Sequence, residues 1–185
     1  MKAALPASAA GKAIEIWFQD EARVGQKGSL EYIWAPVGSR PRVVRDNRHD
    51  SVYLFGALCA ARATGAAIVM PWVNGEAMGE HLRVIAEAVA PGAHAVLVCD
   101  GAGWHRCGAL VVPDNVTLLS LPPCCPELNP MENVWDYLRG NKLSHRVWDG
   151  YEAIVGACVQ AWRFLVGDPE RIRSIATRDW ACVNV

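Results

Sequence analysis

A change in hydrophobic period part-way along the chain places the strongest constraint on its fold. Apolar and polar residues alternate from Ala13 to Gln19, as in a half-buried strand. The apolar runs Val52–Ala63 and Ala66–Pro71 then flank Thr64-Gly65, which predicts a hairpin turn. From Glu76 to Ala90 the apolar residues recur at helical spacing instead. Strands first, followed by helices alternating with strands, predict an α/β protein whose mixed sheet has an antiparallel half and is covered by helices.

The remaining predicted elements follow from the same two patterns, which are alternation of apolar residues for strands and helical spacing of apolar residues for helices. They are a strand at Tyr32–Ala35, a strand at Ala95–Cys99, a short helix at Trp104–Leu110, a strand at Val116–Leu121, and helices at Tyr151–Val166 and Asp168–Ile175. With 185 residues, we expect one domain over residues 13–185 and a disordered lead-in over residues 1–12. No stretch approaches the roughly 20 apolar residues of a membrane span, so no membrane partner is expected.

Charge and cysteine content limit the classes of function. A formal net charge of −1 gives no overall attraction to a polyanion, so any contact with nucleic acid must come from a local patch. The seven cysteines include no C-x-x-C pair. This pattern argues for a reduced intracellular protein and against a cysteine-held zinc ion.

The stretch from Leu121 to Arg139 contains the strongest local signal. Asn129 is a good N-cap, Pro130 suits the first helical position, and Glu132 then falls at the third. Two interpretations of Glu132 remain open. It either closes a capping box with Asn129, or it is a functional carboxylate placed at the start of a helix.

Two aspartates follow strand patterns directly, Asp20 after the first strand and Asp100 after Ala95–Cys99. Sites in α/β sheets gather at the carboxyl ends of strands, so adjacent parallel strands would bring these carboxylates together, with Glu132 as a third. Such oxygen ligands favour Mg²⁺ or Mn²⁺, and a two-ion cluster of this kind serves phosphodiester chemistry. The alternative is structural, because Asp20 also suits a turn and Asp100-Gly101 is a common turn dipeptide.

Arginines cluster between Gly38 and His49, at Arg40, Arg42, Arg45 and Arg48. Pro41 within this cluster makes a core element improbable, so the segment is expected to be exposed. It is either a solvated loop or a patch that contacts phosphates.

Four ordered motifs resemble the catalytic domain of the IS630 group of bacterial transposases, within the IS630/Tc1/mariner superfamily of DDE enzymes. They are WFQDEARVGQKG, WAPVGSRPRVV, VLVCDGAGWH and LPPCCPELNPMENVWDYLR. The resemblance implies an RNase H-like fold with Asp20, Asp100 and Glu132 as catalytic, Mg²⁺-binding residues, and with Mn²⁺ able to substitute. It implies hydrolysis at transposon ends followed by strand transfer into target DNA. Glu21 is expected to point to the other face of its strand.

The resemblance also implies partners and a location. DNA is the expected partner, the active complex is expected to be a dimer, and the setting is the bacterial cytoplasm, with nucleoid association when DNA is bound. Members of the group usually carry helix-turn-helix modules that read the transposon ends, so either a separate DNA-binding chain or a truncated remnant is expected. His105, Arg139 and the arginine cluster are the candidate DNA contacts, with His105 also readable as structural.

The sequence departs from the group at two places. Only 31 residues separate Asp100 from Glu132, slightly fewer than usual, and Cys124-Cys125 replaces a tyrosine-serine pair. A buried-thiol role for these cysteines is favoured over redox sensing. Two other functions remain open, a catalytically idle remnant that binds or regulates, and a different RNase H-like nuclease that cuts RNA in hybrids.

Overall fold

The computed structural model describes residues 5–27, 34–42, 46–106, 110–123 and 125–181. Within them, five strands form one sheet in the order β3-β2-β1-β4-β5. The strands are β1 (Ile14–Gly25), β2 (Ser51–Cys59), β3 (Thr64–Met70), β4 (His94–Cys99) and β5 (Val116–Ser120). The helices are α1 (Gly75–Ala88), α2 (Met131–Leu138), α3 (Tyr151–Val166) and α4 (Pro169–Ala176).

The sheet is mixed, as the sequence predicts. β1, β2 and β3 form an antiparallel meander, whereas β1 pairs with β4 and β4 pairs with β5 in parallel. β1, which carries Asp20, is therefore adjacent and parallel to β4, which ends one residue before Asp100.

Each face of the sheet buries its own apolar cluster. Trp17 and Leu97 pack on one face against α1, whose Met78 and Leu82 are fully buried. The other face is covered by α2, α3 and α4 and includes Phe18. Because side chains alternate along a strand, β1 is anchored on both sides and its orientation is fixed. Within the described residues, no helix has the length and apolar character needed to cross a membrane.

Several predicted boundaries shift. β1 continues to Gly25 because its antiparallel pairing with β2 extends past the end of β4, so Asp20 lies inside the strand and not at its end. The hairpin turn falls at residues 60–63, where Ala63 has a φ of 50°. Thr64-Gly65 instead begins β3, so the predicted turn position is wrong by a few residues.

Other differences lie at the ends and in the loops. Residues 5–12, predicted as disordered, contain a 3₁₀ turn at Ala7–Ala9, and Ala9 is buried. Within the predicted strand at Tyr32–Ala35, Trp34 and Ala35 are not in a strand, and Tyr32 and Ile33 lie outside the described residues. The short helix predicted at Trp104–Leu110 is a 3₁₀ turn at Gly103–Arg106, and residues 107–109 lie outside the described residues.

Candidate active site

The strand pairing places Asp20 and Asp100 side by side. The parallel ladder between β1 and β4 ends at the pair Phe18 and Val98. Asp20 and Asp100 each lie two residues beyond that pair. Asp20 is held further by its antiparallel pairing with Gly56 of β2. The two aspartates therefore mark the edge at which the parallel strands stop.

Asn129 fixes the start of α2 against β1. Its Nδ2 donates to the backbone oxygen of Gln19 at 3.0 Å, and its Oδ1 accepts from the Met131 amide at 3.1 Å. The helix is assigned from Met131, one residue later than predicted, but Pro130 already has helical dihedral angles of −66° and −11°. Asn129 therefore caps the helix and ties it to the strand that carries Asp20.

The side chain of Glu132 points into solvent rather than back to the cap. It is 58% exposed, and its Oε1 lies 4.0 Å from Nη1 of Arg139. Among the described residues, the structure gives Glu132 no hydrogen bond to Asn129, so the capping-box interpretation is not observed.

Trp135 joins the same helix to Asp20. Its Nε1 donates to Oδ2 of Asp20 at 2.9 Å, while its ring is 2% exposed. The ring fits against β2 because Gly56 has no side chain there. A Cβ on Gly56 would lie 2.8 Å from Cη2 of Trp135 and 2.8 Å from Cζ3 of Trp162. The residue that pairs with Asp20 thus makes room for the ring that hydrogen-bonds to it.

All three predicted acids line one pocket of about 520 Å³. Asp20 comes from β1, Asp100 follows β4, and Glu132 lies in the first turn of α2. The other lining residues are Glu21, Gly101, Ala102, Leu121, Pro122, Pro123, Cys125 and Asn129. Cys124, the other member of the vicinal pair, lies outside the described residues.

Four acidic residues line the pocket, and among them Asp20 has a raised pKa. Burial raises the pKa of the Asp20 carboxyl to about 6. The negative charges of Glu21 and Asp100 push the pKa in the same direction, and the hydrogen bond from Trp135 opposes the rise. A cation in the pocket would relieve this repulsion.

Glu21 and His105 form a buried pair on the opposite face of β1. Nε2 of His105 lies 3.1 Å from Oε1 of Glu21, and the two side chains are 1% and 7% exposed. Oε1 of Glu21 also accepts from Gln19 Nε2 at 3.0 Å and from Trp104 Nε1 at 3.1 Å. Desolvation pushes the pKa of Glu21 up, but the hydrogen bond and charge of His105 and the other donors outweigh it, so the net shift is downward. Desolvation lowers the pKa of His105, but Glu21 and Asp100 together raise it overall.

The carboxylates share the pocket without converging on a single point. Among the described residues, no group of three or more His, Cys, Asp or Glu side chains is close enough to hold a metal ion as placed. The donor set nevertheless fits a hard divalent cation, because Asp20, Asp100 and Glu132 all offer oxygen and the neighbouring negative charges disfavour ionisation of Asp20 without a cation.

The candidate DNA contacts divide into three groups. Arg40 and Arg42 are exposed, and Arg45 lies outside the described residues. Arg48 is 51% exposed but is paired with Asp46 at 2.8 Å. The side chain of His105, the remaining candidate, is 1% exposed, and both of its ring nitrogens face acidic residues.

Arg139 lies beside two acids of its own helix. Its Nη1 is 3.4 Å from Oδ1 of Asp136 and 4.0 Å from Oε1 of Glu132. Its side chain remains 32% exposed, so it can reach solvent at the mouth of the pocket.

Two residues of the site were not identified from the sequence. The sequence predicts that Glu21 faces away from Asp20 and assigns it no role, yet Glu21 anchors His105, a histidine that lies five residues after Asp100. Gly56 is predicted only as part of an apolar strand. A glycine inside a strand often marks a close approach by another group, and here that group is the indole of Trp135.

A family model described as DDE superfamily endonuclease matches residues 15–155, which include all three acids. The chain belongs to this family. The match confirms the resemblance to DDE enzymes that the motifs indicated. DDE endonucleases use divalent metal ions.

Individual relatives agree with the family. The chain is 52% identical over 129 residues to the uncharacterized protein y4pE/y4sA of Sinorhizobium fredii, covering 70% of this chain and 96% of that protein. It is similar to the Mos1 mariner paired-end complex with Mn, at 19% identity and a TM-score of 0.64 over 86% of this chain and 51% of that one. The paired-end complex with Mg gives 16% identity and a TM-score of 0.58 over 86% and 50%. The chain spans about half the length of these solved chains, and the likeness confirms an RNase H-like fold.

Proposed function

We propose that this chain is the catalytic domain of a DNA transposase, which uses divalent metal to hydrolyse phosphodiester bonds at transposon ends and to join the freed 3′-hydroxyl to target DNA. The observation that carries the proposal is the meeting of Asp20, Asp100 and Glu132 in one pocket from three separate elements. The family match and the similarity to the Mos1 complexes support it.

The three acids are the proposed catalytic residues and metal ligands, with Mg²⁺ as the cofactor and Mn²⁺ as a substitute. When bound, such ions activate the attacking water or hydroxyl and stabilise the leaving oxygen. The chain's own contribution is to hold the acids in place. Asn129 fixes the start of α2, and Trp135 orients Asp20.

DNA is the proposed partner, bound through local charges because the net charge of the chain is −1. Arg40, Arg42 and Arg139 are the proposed phosphate contacts, since each is accessible. Arg48 can contact a phosphate only if DNA displaces its ion-pair partner, Asp46. A dimer in the active complex, a helix-turn-helix chain that reads the ends, and a bacterial cytoplasmic location remain parts of the proposal.

The deciding experiment compares Glu132→Gln with wild type in Mg²⁺-dependent cleavage of a duplex that carries the DNA flanking the coding region. Glutamine keeps the size of the side chain but is a poor Mg²⁺ ligand, so cleavage should be lost while the free energy of unfolding is unchanged. Glu127→Gln is the matched control, since Glu127 is exposed just before α2 and does not line the pocket.

Three outcomes would contradict parts of the proposal. Cleavage that persists in Glu132→Gln would remove Glu132 from the catalytic set. Preference for an RNA–DNA hybrid offered alongside the duplex would indicate a different nuclease. No cleavage by wild type, even with a supplied DNA-binding partner, together with no Mn²⁺ binding by calorimetry, would indicate an idle remnant.

A further inference from the structure

His105 is held between two carboxylates that belong to opposite sides of the site. Its Nε2 lies 3.1 Å from Oε1 of Glu21, and its Nδ1 lies 2.9 Å from Oδ1 of Asp100. Nδ1 is also 3.1 Å from the backbone oxygen of Asp100. Because the neighbours of both ring nitrogens are acceptors, both nitrogens carry a proton: Nε2 donates to Glu21, and Nδ1 donates to the backbone oxygen of Asp100 with Oδ1 of the same residue beside it.

Oδ1 of Asp100 is therefore held by one hydrogen bond and one charge contact. The amide of Ala102 donates the hydrogen bond at 2.9 Å, and Nδ1 of His105 makes the charge contact, also at 2.9 Å. Among the described residues, the structure gives Oδ2 of Asp100 no hydrogen-bond partner. Asp100 is otherwise free to rotate, since its side chain is 56% exposed. The hydrogen bond from Ala102 and the charge contact with His105 thus decide which oxygen the carboxylate presents to the pocket.

The anchor for His105 is itself rigid. Glu21 is 7% exposed, and the single oxygen that meets His105 also accepts from Gln19 and Trp104. Trp104 packs edge-on against the imidazole at 5.9 Å. His105 therefore has little freedom to turn, and the position of Asp100 is tied to the far face of β1.

We propose that His105, fixed by Glu21, is a positioning residue that locks Oδ1 of Asp100 and leaves Oδ2 to bind the divalent ion. This inference rests on the proposed function, because it assumes that Asp100 is a metal ligand. It replaces the DNA contact expected from the sequence with a buried role. Groups that orient a ligating side chain typically affect metal affinity by about 10- to 100-fold.

Two substitutions of His105 separate its contact with Glu21 from its contact with Asp100. In His105→Gln the amide nitrogen lies as many bonds from Cα as Nε2 does, so the donor to Glu21 is kept and the donor to Asp100 is lost. In His105→Asn the amide nitrogen corresponds to Nδ1, so the donor to Asp100 is kept. His94→Gln is the matched control, because His94 is buried at the opposite end of β4 and contacts Thr117 at 2.8 Å.

Mn²⁺ affinity of the full chain, measured without DNA by electron paramagnetic resonance, is the primary readout, and the unfolding midpoint is the second. His105→Gln should weaken Mn²⁺ binding by about 10- to 100-fold. His94→Gln should bind Mn²⁺ close to wild type, and His105→Asn, which keeps the donor to Asp100 but loses the contact with Glu21, should bind Mn²⁺ more tightly than His105→Gln. Mn²⁺ binding at the wild-type level in His105→Gln would overturn the positioning role, and so would equal weakening in both His105 variants, which would indicate lost packing alone.

Asp100→Asn distinguishes failure of this inference from failure of the function on which it rests. If wild type binds Mn²⁺ and Asp100→Asn does not, the metal site stands and the His105 variants decide the inference by themselves. If wild type binds no Mn²⁺, or Asp100→Asn binds it equally well, the metal site proposed here is wrong and the role of His105 is wrong with it.

Discussion

Gly56→Ala tests whether the strand next to Asp20 is shaped to admit Trp135. The added Cβ would lie 2.8 Å from Cη2 of Trp135, 2.8 Å from Cζ3 of Trp162 and 2.9 Å from Cη2 of Trp162. Carbon atoms prefer separations of about 3.5–4.0 Å, so these rings would have to retreat by roughly 0.7 Å or more. Both are buried, at 2% and 8% exposure, and β2 lies between two paired strands, so neither side can yield easily.

The magnitude follows from two opposing terms. Alanine is better than glycine in a strand by about 0.5–1 kcal/mol, which favours the variant. Overpacking of a filled core costs about 1–3 kcal/mol, and here two rigid indoles share the clash. We therefore expect a net loss of about 1–2 kcal/mol in the free energy of unfolding, or about 2–8 °C in the unfolding midpoint.

The assay is urea denaturation of Gly56→Ala beside Gly156→Ala. Gly156 lies within α3, and a Cβ there would meet nothing within 4 Å, so its replacement should stabilise the chain by up to about 1 kcal/mol. Displacement of Trp135 should also weaken its 2.9 Å bond to Asp20 and lower Mn²⁺ affinity. A Gly56→Ala protein at least as stable as wild type would refute the reasoning about this contact.

Three further predictions concern the charges of the site. Because burial raises the pKa of Asp20 from 3.8 to about 6, the native state binds the extra proton between these values, and the free energy of unfolding falls as pH rises through that window. Asp20→Asn should therefore be more stable than wild type by about 1–3 kcal/mol at pH 7, with the difference vanishing below pH 4 in urea titrations; equal stability at pH 7 would contradict the raised pKa. Trp135→Phe removes the donor to Asp20 and should raise the pKa of Asp20 further, moving the pH midpoint of Mn²⁺ binding upward, and an unmoved midpoint would show that the bond has no electrostatic effect. Arg139→Gln should reduce the salt dependence of DNA binding by about one phosphate contact without changing Mn²⁺ affinity, and an unchanged salt slope would exclude Arg139 from the interface.

The elements that could be predicted from sequence are those with a strong period. α3 spans Tyr151–Val166 as predicted, because its apolar face repeats over four turns. The parallel pairing of β1 with β4 was only a condition for Asp20 and Asp100 to meet, because no local pattern determines which strands pair. The end of β1 could not, since its extension to Gly25 depends on pairing with β2, a contact between residues far apart in sequence.

The site was predicted in its parts but not in its connections. Asp20, Asp100 and Glu132 could be singled out as candidates because acids beside strand and helix ends stand out in an apolar chain, and the resemblance to DDE enzymes favoured a catalytic role over turn and capping roles. The bond from Trp135 to Asp20 depends on a cavity made by Gly56 in another strand, and the link from Glu21 to Asp100 passes through His105 across the sheet. Such contacts form only when distant parts of the chain pack together, so a local sequence pattern cannot predict them.

The most direct test is a crystal structure of this chain grown with Mn²⁺ at a pH above the pKa of Asp20, with the ions located by anomalous scattering. We expect one or two Mn²⁺ ions in the pocket, bound by Asp20, Oδ2 of Asp100 and Glu132, with Glu132 turned away from Arg139. Mn²⁺ bound elsewhere, or a pocket without Mn²⁺ beside three ordered carboxylates, would contradict the proposed metal site.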